Sequence, residues 1–285
     1  MTENSGFETP LLNEHMLLGA VVENGEKGFA SKAVVYGDGT AERDALRDGC
    51  GIADLSYLRM MLIGGDAAES FFSATVACEP PAVGECRFGA ILAGDAAVIA
   101  TPLVVRTGDH EFLLLEGQDR WPAMDAWLHW VVDLEQDGVR PYAGASVSEV
   151  TGSLVPLLLH GPTAGEVLGD YLKGGERLPR SGICSQALLD GRIPAIIVCP
   201  GVSKEPSYLA FVPSKSVVVI WRSLMSFGSV APVGSSSVDG LAGRTLGWAR
   251  LMRGSDRVTL PTEALYRWGL ARRSGGFIGA RSLEV

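Results

Sequence analysis

The sequence predicts an α+β fold made of two similar halves, residues 1–150 and 151–285. In each half a strand is followed by a helix, then by further strands and a closing helix, which is the order of a split α+β unit. The segment HGPTAGEVL (160–168) also resembles IGGDAAESFF (63–72), because each joins a strand end to a helix through a glycine. These two observations indicate a duplicated unit, although no repeat period is visible residue by residue.

The first half is predicted from its apolar runs and its glycines. The first forty residues are glycine-rich and weakly periodic, so we expect an N-terminal segment that wraps over the body. Asp66 is expected to cap a helix that buries Phe71 and Phe72. The predicted elements are a helix at 40–48, a strand at 58–63, a helix at 65–76, strands at 87–92, 97–105 and 111–115, and a helix at 121–134 with Trp127, Trp130, Val131 and Leu134 on one side.

The second half follows the same order. The predicted elements are a strand at 154–159, a helix at 163–172, strands at 192–199 and 207–212, and a helix at 214–227. The serine-rich stretch VGSSSVDG (233–240) is predicted to be a loop, since serine and glycine favour turns. A chain of 285 residues with 47% hydrophobic residues can bury one large core or two coupled ones.

One apolar strand, VIATPLVV (98–105), carries Thr101 and Pro102 at its centre. Proline has no backbone N–H, so central strands exclude it whereas edges and bulges accept it. The run is therefore predicted as a buried strand whose two central residues need a separate explanation.

Composition argues against several classes of partner and location. The net charge is −9 and the sequence pI is near 5.0, which argues against nucleic acid or an anionic membrane surface as the partner. No signal-peptide pattern is visible, and no apolar run reaches the roughly 18 residues of a membrane helix, so we expect a cytoplasmic protein. Five scattered cysteines and four separated histidines predict neither a disulfide framework nor a metal site.

Four segments follow one another along the chain in a specific order: TPLLNEH (9–15), IADLSYLRMMLIGGDA (52–67), HGPTAGEVL (160–168) and TLPTEALYRWGLARRSGGFIGARSLE (259–284). The last one carries a spaced pattern at Thr259, Pro261, Glu263, Trp268, Leu270, Phe277, Gly279 and Leu283. Each motif is short, but the ordered series spans nearly the whole chain. In this series the sequence resembles a divergent member of the glycine cleavage T-protein (aminomethyltransferase) family.

The resemblance implies two α+β halves around a central channel that binds tetrahydrofolate. In that family a glutamate holds the pterin edge, because a carboxylate can accept two of its donors at once. An aspartate close to the folate nitrogens assists one-carbon transfer from an aminomethyl donor. Full-length members continue into a C-terminal β-barrel, which we expect to be absent here. Either a protein partner then closes that side of the channel, or the channel is open.

The resemblance also exposes a change in the acidic residues. Two consecutive aspartates of the family fall on Thr101 and Pro102, and neither replacement can act as an acid or base near neutral pH. An asparagine of the family falls on Glu116. Glu116 is either a substitute carboxylate facing the same pocket or a solvated residue at a strand end. We therefore expect an altered catalytic site at Thr101 and Glu116.

The aligned binding positions are partly retained. Glu205 falls on the glutamate that holds the pterin, and it either keeps that role or is a loop carboxylate beside Lys204. Val202 replaces a tyrosine that would line the pocket. Tyr57 and Leu58 stand where the family has histidine and methionine.

Three further positions complete the aligned site. Arg244 and Arg250 are either cations that pair with the glutamate tail of folate or ordinary surface residues. Trp268 either stacks on a ligand or belongs to the core at helical spacing from Leu265. Met252 falls on a family glutamate, which together with Val202 predicts a more apolar pocket.

These residues lead to two hypotheses about function. The first is a tetrahydrofolate-binding, aminomethyltransferase-like protein that transfers a one-carbon group with an altered site. The alternative is a non-catalytic subunit or sensor that binds folate or another ligand. Neither hypothesis involves nucleic acid or a membrane.

Overall fold

The computed structural model describes residues 8–25, 30–173, 176–254 and 256–284. Its strands are β1 (Ala20–Glu23), β2 (Lys32–Tyr36), β3 (Cys50–Asp54), β4 (Arg59–Gly64), β5 (Cys86–Phe88), β6 (Ile91–Leu92), β7 (Val98–Ala100), β8 (Leu103–Gly108), β9 (Glu111–Glu116), β10 (Ser146–Glu149), β11 (Leu154–His160), β12 (Ile183–Leu189), β13 (Ile193–Cys199), β14 (Ser207–Pro213) and β15 (Val230–Pro232). Its helices are α1 (Leu12–Leu17), α2 (Thr40–Asp48), α3 (Ala68–Thr75), α4 (Trp121–Val132), α5 (Ala164–Gly169), α6 (Val217–Leu224), α7 (Ser235–Thr245), α8 (Thr262–Arg267) and α9 (Ala280–Leu283).

Backbone contacts group the chain into two compact units, each made from two stretches of sequence. The first unit comprises Met1–Tyr57 and Thr151–Leu246, and the second comprises Leu58–Val150 and Gly247–Val285. This division differs from the expected boundary at residue 150, because β3 is hydrogen-bonded to β11 and β15 from the second half of the sequence. Parts of the segment expected to wrap over the body, residues 1–7 and 26–29, lie outside the described residues.

The first unit is built on a six-stranded sheet in the order β12–β13–β14–β11–β3–β15. Neighbouring strands are antiparallel except β15, which runs parallel to β3. The alternate residues Val155, Leu157 and Leu159 of β11 form one apolar cluster with side chains of α5 and α6. Both helices therefore cover the same face of this sheet, and burying that face stabilises the unit.

A buried carboxylate fastens the N-terminal helix of the first unit. Asp54, at the end of β3, accepts hydrogen bonds from the hydroxyl of Thr9 at 2.6 Å and from Nε2 of His15 at 2.9 Å. Nδ1 of His15 lies 2.7 Å from the hydroxyl of Tyr36. Because His15 is fully buried, this network holds α1 and β2 in a fixed position relative to β3.

The second unit is built on a five-stranded antiparallel sheet in the order β10–β4–β9–β8–β5. Phe72 of α3 stacks on Phe112 of β9 with ring centroids 4.2 Å apart. The short strands β6 and β7 pair separately. Each unit therefore combines an antiparallel or mostly antiparallel sheet with helices, in agreement with the predicted α+β class.

The run predicted as one strand at 97–105 is divided by Thr101 and Pro102 into β7 and β8. Strand β7 pairs with β6, whereas β8 lies between β5 and β9. Pro102 has no N–H to give to either ladder, and its carbonyl accepts the N–H of Gly89 at 3.1 Å. The proline therefore marks the point at which the chain passes from one sheet to the other.

Three expectations about helices are wrong. Residues 233–240 are not a loop, because α7 begins at Ser235. Asp66 does not cap α3, since Ala67 stands at the N-cap without a side-chain hydrogen bond. Trp130 is 56% exposed, because the buried stripe of α4 shares only Val131 with the predicted side. That stripe consists of Trp121, Met124, Leu128 and Val131.

Candidate functional site

A carboxylate at the end of β9 is held by two backbone amides of the second unit. Glu116 is the last residue of β9 and lies opposite Arg59 of β4 in the antiparallel register. Its Oε2 accepts a hydrogen bond from the N–H of Thr101 at 2.8 Å, and its Oε1 accepts one from the N–H of Gly117 at 2.7 Å. Both oxygens of the side chain are therefore fixed in position by the main chain.

The strand break explains why Thr101 binds this carboxylate. Residues 101–102 belong to neither ladder, so the N–H of Thr101 needs an acceptor other than a neighbouring strand. Glu116 supplies that acceptor. The side chain of Thr101 is itself buried, at 7% exposure. A carboxylate thus lies beside Thr101 although residue 101 is not acidic.

Burial raises the pKa of Glu116 to about 7. The two backbone hydrogen bonds and the positive charge of Arg120 act in the opposite direction, and the charge of Asp119 adds to the rise in pKa. A carboxyl group with a pKa near 7 is present in both protonation forms at neutral pH. It can therefore both accept and donate a proton, as a general base or acid must.

Asp119 and Arg120 bind a second stretch of the same unit. The side chain of Arg120 is 5% exposed, and its Nε donates to the carbonyl of Met252 at 3.0 Å. Its Nη1 donates to the carbonyl of Asp256 at 2.7 Å. The carboxylate of Asp119 accepts the N–H of Gly254 at 2.8 Å. The turn that follows Glu116 is thereby fastened to the chain around Met252.

A second set of polar groups lies in the first unit. Glu205, in the loop between β13 and β14, has an exposed carboxylate, and its backbone N–H donates to Oγ of Ser203 at 3.2 Å. His160, the last residue of β11, is 3% exposed, and its Nδ1 has no hydrogen-bond partner among the described residues. Burial lowers the pKa of His160; the charge of Glu205 opposes this shift and the charge of Arg244 adds to it. The charges of Glu205 and Arg244 therefore each act on the buried ring of His160.

The predicted pocket-lining residues of the first unit differ in exposure. Val202 is half-buried in the same loop as Glu205. Tyr57 is buried, and the centroid of its ring lies 6.0 Å from Nζ of Lys32. Burial and the charges of Asp239 and Asp54 raise the pKa of the Tyr57 hydroxyl, which keeps it protonated. Tyr57 can therefore contribute an apolar ring and a neutral donor.

The predicted binding residues of the second unit lie mainly at its surface. Leu58 is half-buried at the start of the unit, and Arg250 is exposed. Trp268 is half-buried at the C-cap of α8, and its ring packs on Trp248 with centroids 5.8 Å apart at 49°. The guanidinium of Arg267 lies 5.8 Å from the ring of Trp268. Trp268 thus already has an aromatic and a cationic neighbour.

Sequence reasoning missed His160 and Arg120 as members of these two sets. His160 opens the HGPTAGEVL segment and ends a strand beside a glycine, which was a usable signal. Arg120 follows Glu116 at a strand-to-helix corner, but its partners Met252 and Asp256 are more than 130 residues away in sequence. Contacts at such separation cannot be read from a local pattern.

Two features are absent from the described ranges. Residues 8–25, 30–173, 176–254 and 256–284 contain no cluster of three or more histidine, cysteine, aspartate or glutamate side chains arranged to hold a metal ion. Within the same ranges, no helix is long and apolar enough to cross a bilayer.

Curated proteins similar to this chain are aminomethyltransferases. The aminomethyltransferase of Chlorobium chlorochromatii is 24% identical over 258 residues, which cover 88% of this chain and 68% of that protein. The aminomethyltransferase of Herpetosiphon aurantiacus is 25% identical over 282 residues, which cover 97% of this chain and 74% of that protein.

Two solved structures share the fold of this chain. The glycine cleavage system aminomethyltransferase T of Bartonella henselae matches with a TM-score of 0.78 and 22% identity, over 98% of this chain and 74% of that chain. A chain of the heterotetrameric sarcosine oxidase from Corynebacterium sp. U-96 matches with a TM-score of 0.50 and 15% identity, over 76% of this chain and 92% of that chain. The family model described as the GCVT N-terminal domain matches residues 11–243. The chain therefore belongs to the GCVT N-terminal domain family.

Proposed function

We propose that this chain binds tetrahydrofolate and takes part in one-carbon transfer, with Glu116 as the group that moves the proton. The observation that carries the proposal is the placement of the Glu116 carboxylate beside Thr101, with a pKa raised to about 7 by burial. Family membership and the aminomethyltransferases among the relatives support the choice of a folate-dependent one-carbon transfer.

The residues present fit a folate. A reduced pterin offers a row of N–H donors, and the exposed carboxylate of Glu205 can accept two of them. The glutamate tail of a folate is anionic, and Arg244 of the first unit is an exposed cation able to pair with it. His160 adds a buried ring nitrogen that lacks a partner among the described residues, as a group that awaits a ligand would.

In this proposal Glu116 performs the proton transfer expected of an acidic residue at Thr101 or Pro102. Transfer of a one-carbon unit between two amines requires a proton to leave the accepting nitrogen and another to reach the departing amine. Glu116 can perform both steps because both of its protonation forms are populated near pH 7. The amides of Thr101 and Gly117 hold the carboxylate in one orientation while its charge changes.

The alternative is a subunit that binds a folate-type ligand without turnover. It is favoured by Thr101 and Pro102, which supply no acid where the resemblance places two aspartates. In that case Glu116 is a structural acceptor for two backbone amides and exchanges no proton with the ligand. We also propose that such a subunit acts together with a protein partner.

Thermal stabilisation by folates tests the proposed binding. Tetrahydrofolate, 5-methyltetrahydrofolate or 5-formyltetrahydrofolate at about one hundred times its Kd should raise the Tm by about 5 °C. Glu205→Gln should weaken binding about tenfold or more, because a neutral amide replaces a carboxylate that accepts two donors. Differential scanning fluorimetry across a ligand titration measures both effects.

Glu166→Gln is the matched control, since Glu166 is an exposed glutamate of the same unit. It should leave the folate-induced shift unchanged. If no folate raises the Tm of the wild type, the proposed function is wrong. If folates stabilise both variants as they do the wild type, Glu205 does not hold the pterin.

A further inference from the structure

The corner between β9 and α4 joins Glu116 to a buried guanidinium. Gly117 donates its N–H to Glu116 at 2.7 Å, and its carbonyl accepts the N–H groups of Arg120 at 3.3 Å and Trp121 at 3.1 Å. Gly117 is therefore hydrogen-bonded to the Glu116 carboxylate through its N–H and to the backbone of Arg120 through its carbonyl. The backbone of Arg120 and the amide that orients the carboxylate thus meet at Gly117.

Arg120 is bound through carbonyl oxygens rather than through a carboxylate. Its Nε and Nη1 reach the carbonyls of Met252 and Asp256, and Asp119 adds a bond from the N–H of Gly254. In the part of the chain that the structure describes, Nη2 of Arg120 is buried without a hydrogen-bond partner. Carbonyl partners carry no formal negative charge, so the positive charge of the guanidinium still acts on neighbouring groups.

Two charged groups act on the Glu116 carboxylate, and a third, Arg59, stands opposite it in the strand register. Arg120 and Asp119 belong to the same corner, and their charges act on Glu116 in opposite directions. Arg59 lies opposite in β4 and forms an ion pair with Glu149 of β10 at 2.5 Å. The guanidinium of Arg59 also lies 5.2 Å from the ring of Trp121. The Nε and Nη1 atoms of Arg120, by contrast with the ion-paired Arg59, donate to backbone carbonyls.

We propose that Arg120 is a positioning residue that fastens the chain at Met252 and Asp256 to the β9–α4 corner and supplies the positive charge under which Glu116 exchanges its proton. The part of this inference that concerns the reaction rests on the proposed function. We call the hydrogen bonds of Arg120 to the carbonyls of Met252 and Asp256 the clamp. The clamp and the effect of the Arg120 charge on Glu116 are properties of the ligand-free protein, so they can be tested without folate.

The electrostatic part predicts opposite shifts for two neighbouring variants. Arg120→Gln removes a positive charge and should raise the ionisation midpoint of Glu116 by about half a pH unit or more. Asp119→Asn removes a negative charge, keeps an acceptor for Gly254, and should lower the midpoint. Arg120→Lys keeps the charge and should leave the midpoint near its wild-type value. Carbon NMR of the glutamate carboxyls across pH measures the midpoint, with the Glu116 signal assigned by its loss in Glu116→Gln.

The clamp also predicts how readily the chain around Arg253 opens to a protease. Arg253 is exposed and lies between the two carbonyls that Arg120 binds, so it offers a site for trypsin. Arg120→Gln and Arg120→Lys should both speed cleavage at Arg253 about tenfold or more, because neither side chain can bridge the two carbonyls as a guanidinium does. Arg273→Gln is the control, since it removes an exposed arginine that pairs with Glu263.

The outcomes separate the possibilities. The proposal is supported if the Glu116 midpoint rises in Arg120→Gln but not in Arg120→Lys, and if both variants are cleaved faster at Arg253. It is overturned if Arg120→Gln leaves the Glu116 midpoint unchanged, or if cleavage at Arg253 is no faster than in Arg273→Gln. If Arg120→Gln does not fold, Arg120→Met tests the charge of Arg120 through the same midpoint, and the Arg120→Lys cleavage rate tests the clamp. Loss of folate binding alone contradicts the proposed function and leaves both results standing.

Discussion

The environment of Glu116 depends on the backbone of a neighbouring segment. The N–H of Thr101 is available to the carboxylate because Pro102 ends the strand ladder at that point. From sequence, Glu116 could be named as a candidate carboxylate, but a solvated strand end was an equal alternative. Its burial and its two amide donors follow from the passage of the chain between β7 and β8, which the apolar pattern did not predict. The catalytic role of Glu116 stays a prediction.

Protonation of Glu116 makes a pH-dependent contribution to stability. Its pKa is raised to about 7 in the folded chain from an ordinary value of 4.5, so folding favours the protonated form. The contribution is complete below about pH 4.5 and is lost as the pH rises through about 7. We expect Glu116→Gln, which cannot ionise, to gain about 1–3 kcal/mol relative to the wild type as the pH rises through this range.

Urea unfolding of both proteins across that pH range measures the difference. The glutamine side chain offers one acceptor fewer to the two backbone N–H groups at every pH, which lowers stability by a constant amount. The change of the stability difference with pH therefore reports the ionisation of Glu116. Glu111→Gln, at the exposed first residue of β9, is the control and should show a nearly constant difference. A constant difference for Glu116→Gln as well means that Glu116 ionises normally in the folded chain.

At the scale of elements, apolar runs, helix-favouring composition and glycine stops were sufficient to place several helices and strands. The helix predicted at 40–48 coincides with α2, and the strands predicted at 154–159 and 207–212 lie within β11 and β14. Strands β1, β2, β3, β10, β12 and β15 were missed, and three of them, β10, β12 and β15, lie at the edges of the two larger sheets. Edge strands expose much of their surface, so their sequences mix polar and apolar residues without a clear period.

Helix α7 begins where serine and glycine suggested a loop, and packing against β2 determines its start. A Cβ at Gly234 would lie 2.2 Å from the carbonyl oxygen of Val34, so the backbone would have to move. We expect Gly234→Ala to lower the free energy of unfolding by about 2–3 kcal/mol through this overlap. Denaturant unfolding monitored by circular dichroism measures the loss.

Gly240→Ala is the matched control within the same helix. A Cβ there meets only the flexible end of Arg244, at 3.5 Å. This variant should gain about 0.5–1 kcal/mol, because alanine is a better helix former than glycine. Equal stability of Gly234→Ala and the wild type contradicts the placement of α7 against β2.

At the scale of the whole chain, the ordered motifs were sufficient to identify the family and the α+β class, and the comparisons confirm both. Which stretches of sequence make up each unit could not be predicted. The division depends on pairing between β3 and β11, which are about a hundred residues apart. The chain spans 68% of one aminomethyltransferase relative and 74% of another. Roles of individual site residues stay predictions.

The overall charge also constrains the proposed ligand. A chain with a net charge of −9 repels the carboxylates of a folate at long range. Binding therefore requires local cations, and the exposed Arg244 and Arg250 are the ones that the aligned positions suggest. Salt screens the long-range repulsion more than it weakens close ion pairs.

The most direct measurement of the central claim is the number of protons exchanged when tetrahydrofolate binds. Calorimetric titrations near pH 7 in two buffers of different ionisation enthalpy give that number for the wild type and for Glu116→Gln. We predict that the wild type exchanges protons on binding and that Glu116→Gln still binds but exchanges none. The same proton exchange in both proteins, or no heat of binding in the wild type, contradicts the claim.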